Sequence, residues 1–279
     1  MGKKDSASPA MMTVPVVIIG LIVGLWAAQA PAANLTPASS ASATAHSAPP
    51  TAKPQPKPTA ASPPASGSRP PDRCAAVHDF IKRAGDALDH NEGSGGYTKI
   101  SWDDAGYGIA VGKMQWNQVA GTLPSLLRQW HDADPGRFNA IFGSYAGNLL
   151  NDSYVRNDAV FSPDNDLGHR MLNALAEPVF QRVQQRLQDD EIRWAIGLAK
   201  SFRHSSALFI TEVADIGNQM GHGGVTNALN NADVRNISGE DQAVRALISF
   251  SPRPGGSRRN GNIEGSFSGS EIVPDLAGC

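Results

Sequence analysis

Apolar residues recur at helical spacing soon after Cys74: Val77, Phe80, Ile81, Ala84 and Leu88 fall on one face, and the pattern stops near Asn91. From Gly93 to Gly112 the pattern changes. Glycines and aspartates separate Tyr97, Ile100, Trp102, Tyr107 and Ile109, which suits a short β-hairpin or irregular sheet better than a helix. Helical spacing resumes with Leu123, Leu126, Leu127 and Trp130, and Asp134-Pro135 reads as an N-cap followed by proline in the first turn. Further helices are predicted over Met171 to Leu187, with a break or kink at Pro178, over Ile192 to Ala199, and over Ala207 to Met220. Ser238, with Asp241 three positions on, marks a capping-box-like start for a last helix. The expectation is a mainly α domain, of α+β character, with a short β-hairpin and no internal repeat.

Within Ala207 to Met220 the residues divide into two stripes. Phe209, Val213, Ile216 and Met220 form an apolar face, and Glu212, Asp215 and Gln219 a polar one, with His222-Gly223 following. A polar stripe of this kind is either an ordinary solvated face or one wall of a binding site.

The rest of the chain is organised around this domain. Lys3 and Lys4 precede an apolar run from Val14 to Trp26, and Ala30-Pro31-Ala32 fits an A-x-A cleavage pattern, so residues 1–33 read as a signal peptide or a retained N-terminal membrane anchor. Either reading exports the remainder to the periplasm or beyond, with inner-membrane anchoring as the second outcome. Residues 34–72 are almost wholly Ala, Pro, Ser, Thr and Lys and hold half of the 20 prolines, which predicts a disordered, extended linker. The domain is expected over residues 73–250, and the Gly-, Ser- and Arg-rich residues 251–279 as a loosely attached tail. In an oxidising compartment Cys74 and Cys279 are expected to pair, joining the two ends of the domain at about 2 to 4 kcal/mol. The alternative is two unpaired thiols. The formal charge of −2 supplies no basic footprint for nucleic acid, and a monomer is expected.

Chemistry concentrates after the first helix. Cleaving a glycosidic bond generally takes one carboxylic acid to protonate the leaving oxygen and one carboxylate to activate water or offset positive charge. A glutamate just past a helix C-terminus lies at the negative end of the macrodipole, which favours the neutral acid. Glu92 holds that place, and Asp103 or Asp104, in the hydrated hairpin, is its candidate partner.

The segments Asn91-Glu92-Gly93-Ser94-Gly95-Gly96-Tyr97 and Gly112-Lys113-Met114-Gln115-Trp116-Asn117 carry a resemblance. They resemble the lysozyme-like superfamily, in which goose-type lysozymes and lytic transglycosylases place a catalytic Glu at a helix end before a G-x-M-Q motif. Asp103-Asp104-Ala105-Gly106-Tyr107 is similar to the D-x-x-G-Y segment of family 46 chitosanases. The resemblance covers roughly residues 78 to 150. It implies a lysozyme-like fold with the hairpin beside an active-site cleft, Glu92 as general acid and Asp103 as its partner. Tyr97, Tyr107, Gln115 and Asn117 would bind sugar, with Asp215 and Gln219 on the far wall. The interval from Glu92 to Asp103 is shorter than in the chitosanases, which leaves Asp104 open as the partner, and Gln115 is alternatively a structural residue bonding backbone amides. The implied substrate is a β-1,4-linked amino-sugar polymer, peptidoglycan or alternatively chitosan, with a non-catalytic wall-binding module as the reading from another class.

Competing chemistries lack their residues. Gly106, Gly108 and Gly112 are spaced G-x-G-x-x-x-G outside any βαβ context, and Asp164-Asn165-Asp166-Leu167-Gly168 lacks the closing Glu of a calcium loop and reads as a loop cap. No H-E-x-x-H or G-x-S-x-G segment occurs, so neither a metal nor another cofactor is expected.

Overall fold

The computed structural model describes residues 73–276 and Cys279; the expected leader (1–33) and linker (34–72) lie outside the described residues. The architecture is mainly helical with one small antiparallel sheet. Helix α1 (Arg73–Asn91) leads into β1 (Ile100–Ser101), β2 (Ala110–Val111) and β3 (Trp116–Asn117). Helices α2 (Thr122–Ala133), α3 (Pro135–Phe142), α4 (Asp152–Val155), α5 (Asp166–Leu175), α6 (Pro178–Ser201), α7 (Ala207–Asn231), α8 (Glu240–Ser249) and α9 (Gly256–Ser266) follow. Among the described residues no helix is long and apolar enough to cross a membrane.

Several boundaries follow from local chemistry. Asp134 caps α3 by accepting from Arg137 N, with Pro135 in the first turn. Asn165 does the same for α5 through Gly168 N at 2.7 Å, so the Asp164 to Gly168 segment is a helix cap. Pro178 starts α6, separating it from α5. The start of α8 differs from expectation: Gly239 is the N-cap, without a side-chain bond, and Ser238 lies one residue outside.

Two apolar cores share α6, whose 24 residues extend about 36 Å. Its first half, with Phe180 and Val183, joins the core built by Ile109, Val111, α2, α3 and α5. There Trp130 stacks on Phe180 at 4.5 Å and meets Phe138 and Phe142 edge-on. Its second half, with Ile192, Ala195, Ile196 and Ala199, joins the core of α1, α7, α8 and α9.

The sheet has strands of two residues in the order β1-β2-β3, with Ile100 opposite Val111 and Val111 opposite Trp116. Backbone ladders this short satisfy few polar groups, and buried glutamines supply partners to some of the others. Gln118 accepts from Ile109 N at 2.9 Å and donates to Val155 O at 2.9 Å; Gln184 of α6 donates to Tyr97 O at 3.2 Å. Gly112 has φ +71, and a Cβ there would run into the Gln184 side chain, so this turn takes glycine for both reasons.

Residues 251–279 depart from the expected loose tail. Arg259 and Ile263 of α9, together with Phe267 and Val273, are buried, and Ser206 pairs with Ile272. Arg83 pairs with Glu271, and Lys200 donates to Pro274 O at 3.0 Å. Cys74 and Cys279 form a disulfide with Cα atoms 5.2 Å apart. Composition hid this because few large apolar residues, chiefly Ile263, Phe267 and Val273, anchor the segment; ion pairs, backbone hydrogen bonds and the disulfide supply the rest of its attachment.

Candidate active site at the end of the first helix

α1 carries Asn91 and Glu92 to the junction between helix and sheet. Glu92 N still donates to Leu88 O at 3.0 Å, and Gly93, at φ +100, turns the chain away. Lys99 lies across this turn. A Cβ on Gly93 would stand 2.7 Å from Lys99 Nζ and one on Gly95 2.5 Å from Lys99 Cβ, so the two glycines admit the lysine.

The Glu92 side chain is 10% exposed, and three donors converge on its Oε1: Arg259 Nη2 at 2.7 Å, Gln219 Nε2 at 2.8 Å and Asn218 Nδ2 at 2.9 Å. Oε2 receives none of these bonds. The donors come from α7 and α9, so three helices meet at one carboxyl oxygen. Arg259 also grips Asp215, with Nε to Oδ2 at 2.9 Å and Nη2 to Oδ1 at 2.6 Å. Asp215 takes a further bond from Asn91 Nδ2 at 3.0 Å and an ion pair from Arg253 Nε at 3.2 Å. Arg253 Nη2 in turn reaches Glu212 Oε2 and Asn260 Oδ1.

The result is a buried line of alternating charges: Glu92, Arg259, Asp215, Arg253, Glu212. Burial works against the charge on Arg259, but Asp215 and Glu92 outweigh it and hold the guanidinium more firmly protonated than usual. At Glu212, which has no exposed surface, burial wins over Arg253 and pushes the carboxyl up to about 7.

The kink in α7 adjoins this line. Gly221 adopts φ 73 and ψ 164 inside the helix, just after Asn218 and Gln219. Beyond it His222 stacks on Trp194 at 3.4 Å, with Nε2 2.9 Å from Glu191 Oε2.

The residues singled out from sequence are distributed as follows. Gln219 bonds Glu92 directly, and Asp215 reaches it through Arg259. Asp215 and Glu212 are completely buried, so at these two positions the stripe is neither a solvated face nor a wall open to ligand, while Gln219 at its end is exposed. Asp103 and Asp104 are both exposed on the β1–β2 connection: Asp103 Oδ1 accepts from Gly106 N at 2.9 Å, and Asp104 Oδ2 from Asn117 Nδ2 at 2.8 Å. Gln115 uses both ends of its amide within the sheet, accepting from Ser101 Oγ at 2.8 Å and donating to Gly112 O at 2.9 Å. Its structural role is therefore filled. Tyr97 donates to Gln185 at 2.5 Å beneath Lys113, and Tyr107 is exposed. Burial, with Asp189 next, pushes the Tyr97 phenol up.

Arg259, Arg253, Asn218 and Asn91 were not legible as site residues. The one signal in the sequence was two acids, Glu212 and Asp215, on a helix with no basic residue at i+3 or i+4 to meet them. Among the described residues no group of three or more His, Cys, Asp or Glu side chains is disposed to hold a metal ion.

No protein-family model matches this chain, and no characterised protein matches it in sequence.

Proposed function

We propose that this protein is an exported glycoside hydrolase of lysozyme-like fold, cleaving a β-1,4-linked amino-sugar polymer, peptidoglycan, with Glu92 as the general acid. The observation that carries the reading is the holding of Glu92. One carboxyl oxygen is fixed by Arg259, Asn218 and Gln219, while the other takes none of those bonds, so the carboxyl is held in one direction at the junction of helix and sheet. A helix ending just before that residue, a small antiparallel sheet after it, and two apolar cores joined by a long helix all fit a lysozyme-like arrangement.

The reaction assigns each atom a place. Glu92 gives its proton to the glycosidic oxygen as the bond to the anomeric carbon breaks, and the charge left on Glu92 is met by Arg259. Water adds to the anomeric carbon, its proton passing to a second carboxylate, for which Asp103 and Asp104 are the candidates. Glu212 and Asp215 are buried away from substrate and take no direct part.

Peptidoglycan is favoured over chitosan by the charges around Glu92. Lys99 lies over Gly93, and exposed Arg258 donates to Asn91 O at 3.1 Å. Cations so placed attract the carboxylates of peptidoglycan and repel polycationic chitosan.

The test is to incubate the oxidised protein with purified peptidoglycan and, separately, with chitosan, and to identify released fragments by mass spectrometry. Peptidoglycan fragments are expected, with a loss of roughly 100-fold or more in Glu92→Gln. Absence of fragments from both polymers, or full activity in a folded Glu92→Gln, overturns the reading. Comparing Asp103→Asn with Asp104→Asn then assigns the partner as the variant with the larger loss.

A further inference from the structure

We propose that Glu212 is a positioning residue for Glu92, acting from the far end of the buried ionic line by setting how Arg253 and Arg259 divide between their carboxylate partners. The proposal rests on the glycosidase reading for its meaning in catalysis, but the coupling itself stands on geometry.

The line holds three acids, Glu92, Asp215 and Glu212, against two guanidiniums, Arg259 and Arg253. Three minus two leaves one negative charge in excess when every acid is ionised. All five side chains are at most 10% exposed, so water screens that excess poorly. The line is neutral when it carries one proton. Asp215 is poorly suited to take it, because two guanidiniums and Asn91 already serve its oxygens. The two ends, Glu92 and Glu212, remain.

Glu212 is built for the task. Its Oε2 meets Arg253, while its Oε1 is buried without a hydrogen-bond partner. An unmatched buried carboxylate oxygen is costly, and a proton on the group lowers that cost. The charged groups acting on Glu212 are Arg253 from the α8–α9 connection, Asp215 from its own helix and Glu264 from α9, the two acids adding to the effect of burial. Its carboxyl therefore titrates near neutrality, at about 7.

The consequence propagates by partner exchange. With Glu212 protonated, the Arg253 charge is available to Asp215, and Asp215 makes less demand on Arg259, which is then held by Glu92. With Glu212 ionised, Arg253 is drawn toward it, Asp215 depends more on Arg259, and the grip of Arg259 on Glu92 Oε1 weakens. Interacting groups of this kind share their titration steps.

The experiment follows the side-chain carboxyl carbons of 13C-labelled glutamate by NMR from pH 4 to 9, in the full oxidised protein. Glu92 and Glu212 are assigned from Glu92→Gln and Glu212→Gln. In the wild type the Glu92 signal is expected to show an inflection near pH 7 coincident with the Glu212 midpoint, and in Glu212→Gln that inflection is lost. On cleavage of peptidoglycan, the neutral limb of the pH–rate profile is expected to move by about one pH unit in the same variant. A smooth Glu92 signal through neutrality overturns the proposal, as does an inflection that persists in folded Glu212→Gln. If that variant does not fold, the wild type still decides: the Glu92 inflection must coincide with the titration of the remaining neutral-range glutamate signal, and a mismatch overturns the coupling. A wild type that releases no glycan fragment sinks the glycosidase reading and leaves the NMR result to stand or fall separately.

Discussion

Burial and pairing pull Glu212 in opposite directions, and burial prevails. Its folded carboxyl titrates at about 7 against an ordinary 4.5, so between those values the native state binds more protons than the unfolded chain. Stability from this group is therefore complete below pH 4.5 and is lost as pH rises through 7. The loss is on the order of 3 kcal/mol for the isolated group. Glu212→Gln, which carries no charge, is expected to flatten the pH dependence of urea unfolding between pH 4.5 and 7. An unchanged slope in the folded variant would assign that dependence to other groups. At this scale the sequence was legible for Glu92, because a helix end is a local feature. It was not legible for the burial of Asp215, because the arginines that neutralise it lie at positions 253 and 259, on a segment without apolar periodicity.

Elements with clear apolar spacing were legible, and α1, α2, α3 and the break at Pro178 lie where the pattern places them. The exception is α9, whose sequence Gly256 to Ser266 holds a single large apolar residue, Ile263. It is a helix by tertiary attachment, through Arg259 and Asn262 to Asn91, Glu92 and Asp215. In α7 the pattern predicts an end at Met220, and the structure instead bends at Gly221 and continues to Asn231. The bend takes a residue at φ 73 and ψ 164, a region essentially confined to glycine, which costs an L-amino acid on the order of 1–3 kcal/mol. Gly221→Ala is thus expected to lower unfolding free energy by about that amount. It should also raise hydrogen exchange at Asn218 and Gln219 amides; exchange equal to wild type would show that the kink does not position the donors on Glu92.

Across the whole molecule the disulfide joins the start of α1 to Cys279, with a sequence separation of 205 residues. The helix that it opens is the helix that leads directly into Glu92. Reduction, or the double variant Cys74→Ser with Cys279→Ser, is expected to destabilise the domain by about 2 to 5 kcal/mol. Amides of α9 should lose protection first, since that helix is secured largely by ionic contacts. Equal protection of α9 before and after reduction would show that those contacts suffice alone. The same closure changes what a protease can accomplish. A single backbone cut anywhere between Cys74 and Cys279 opens a loop without separating the pieces, so a clipped molecule keeps its full mass until it meets a reductant.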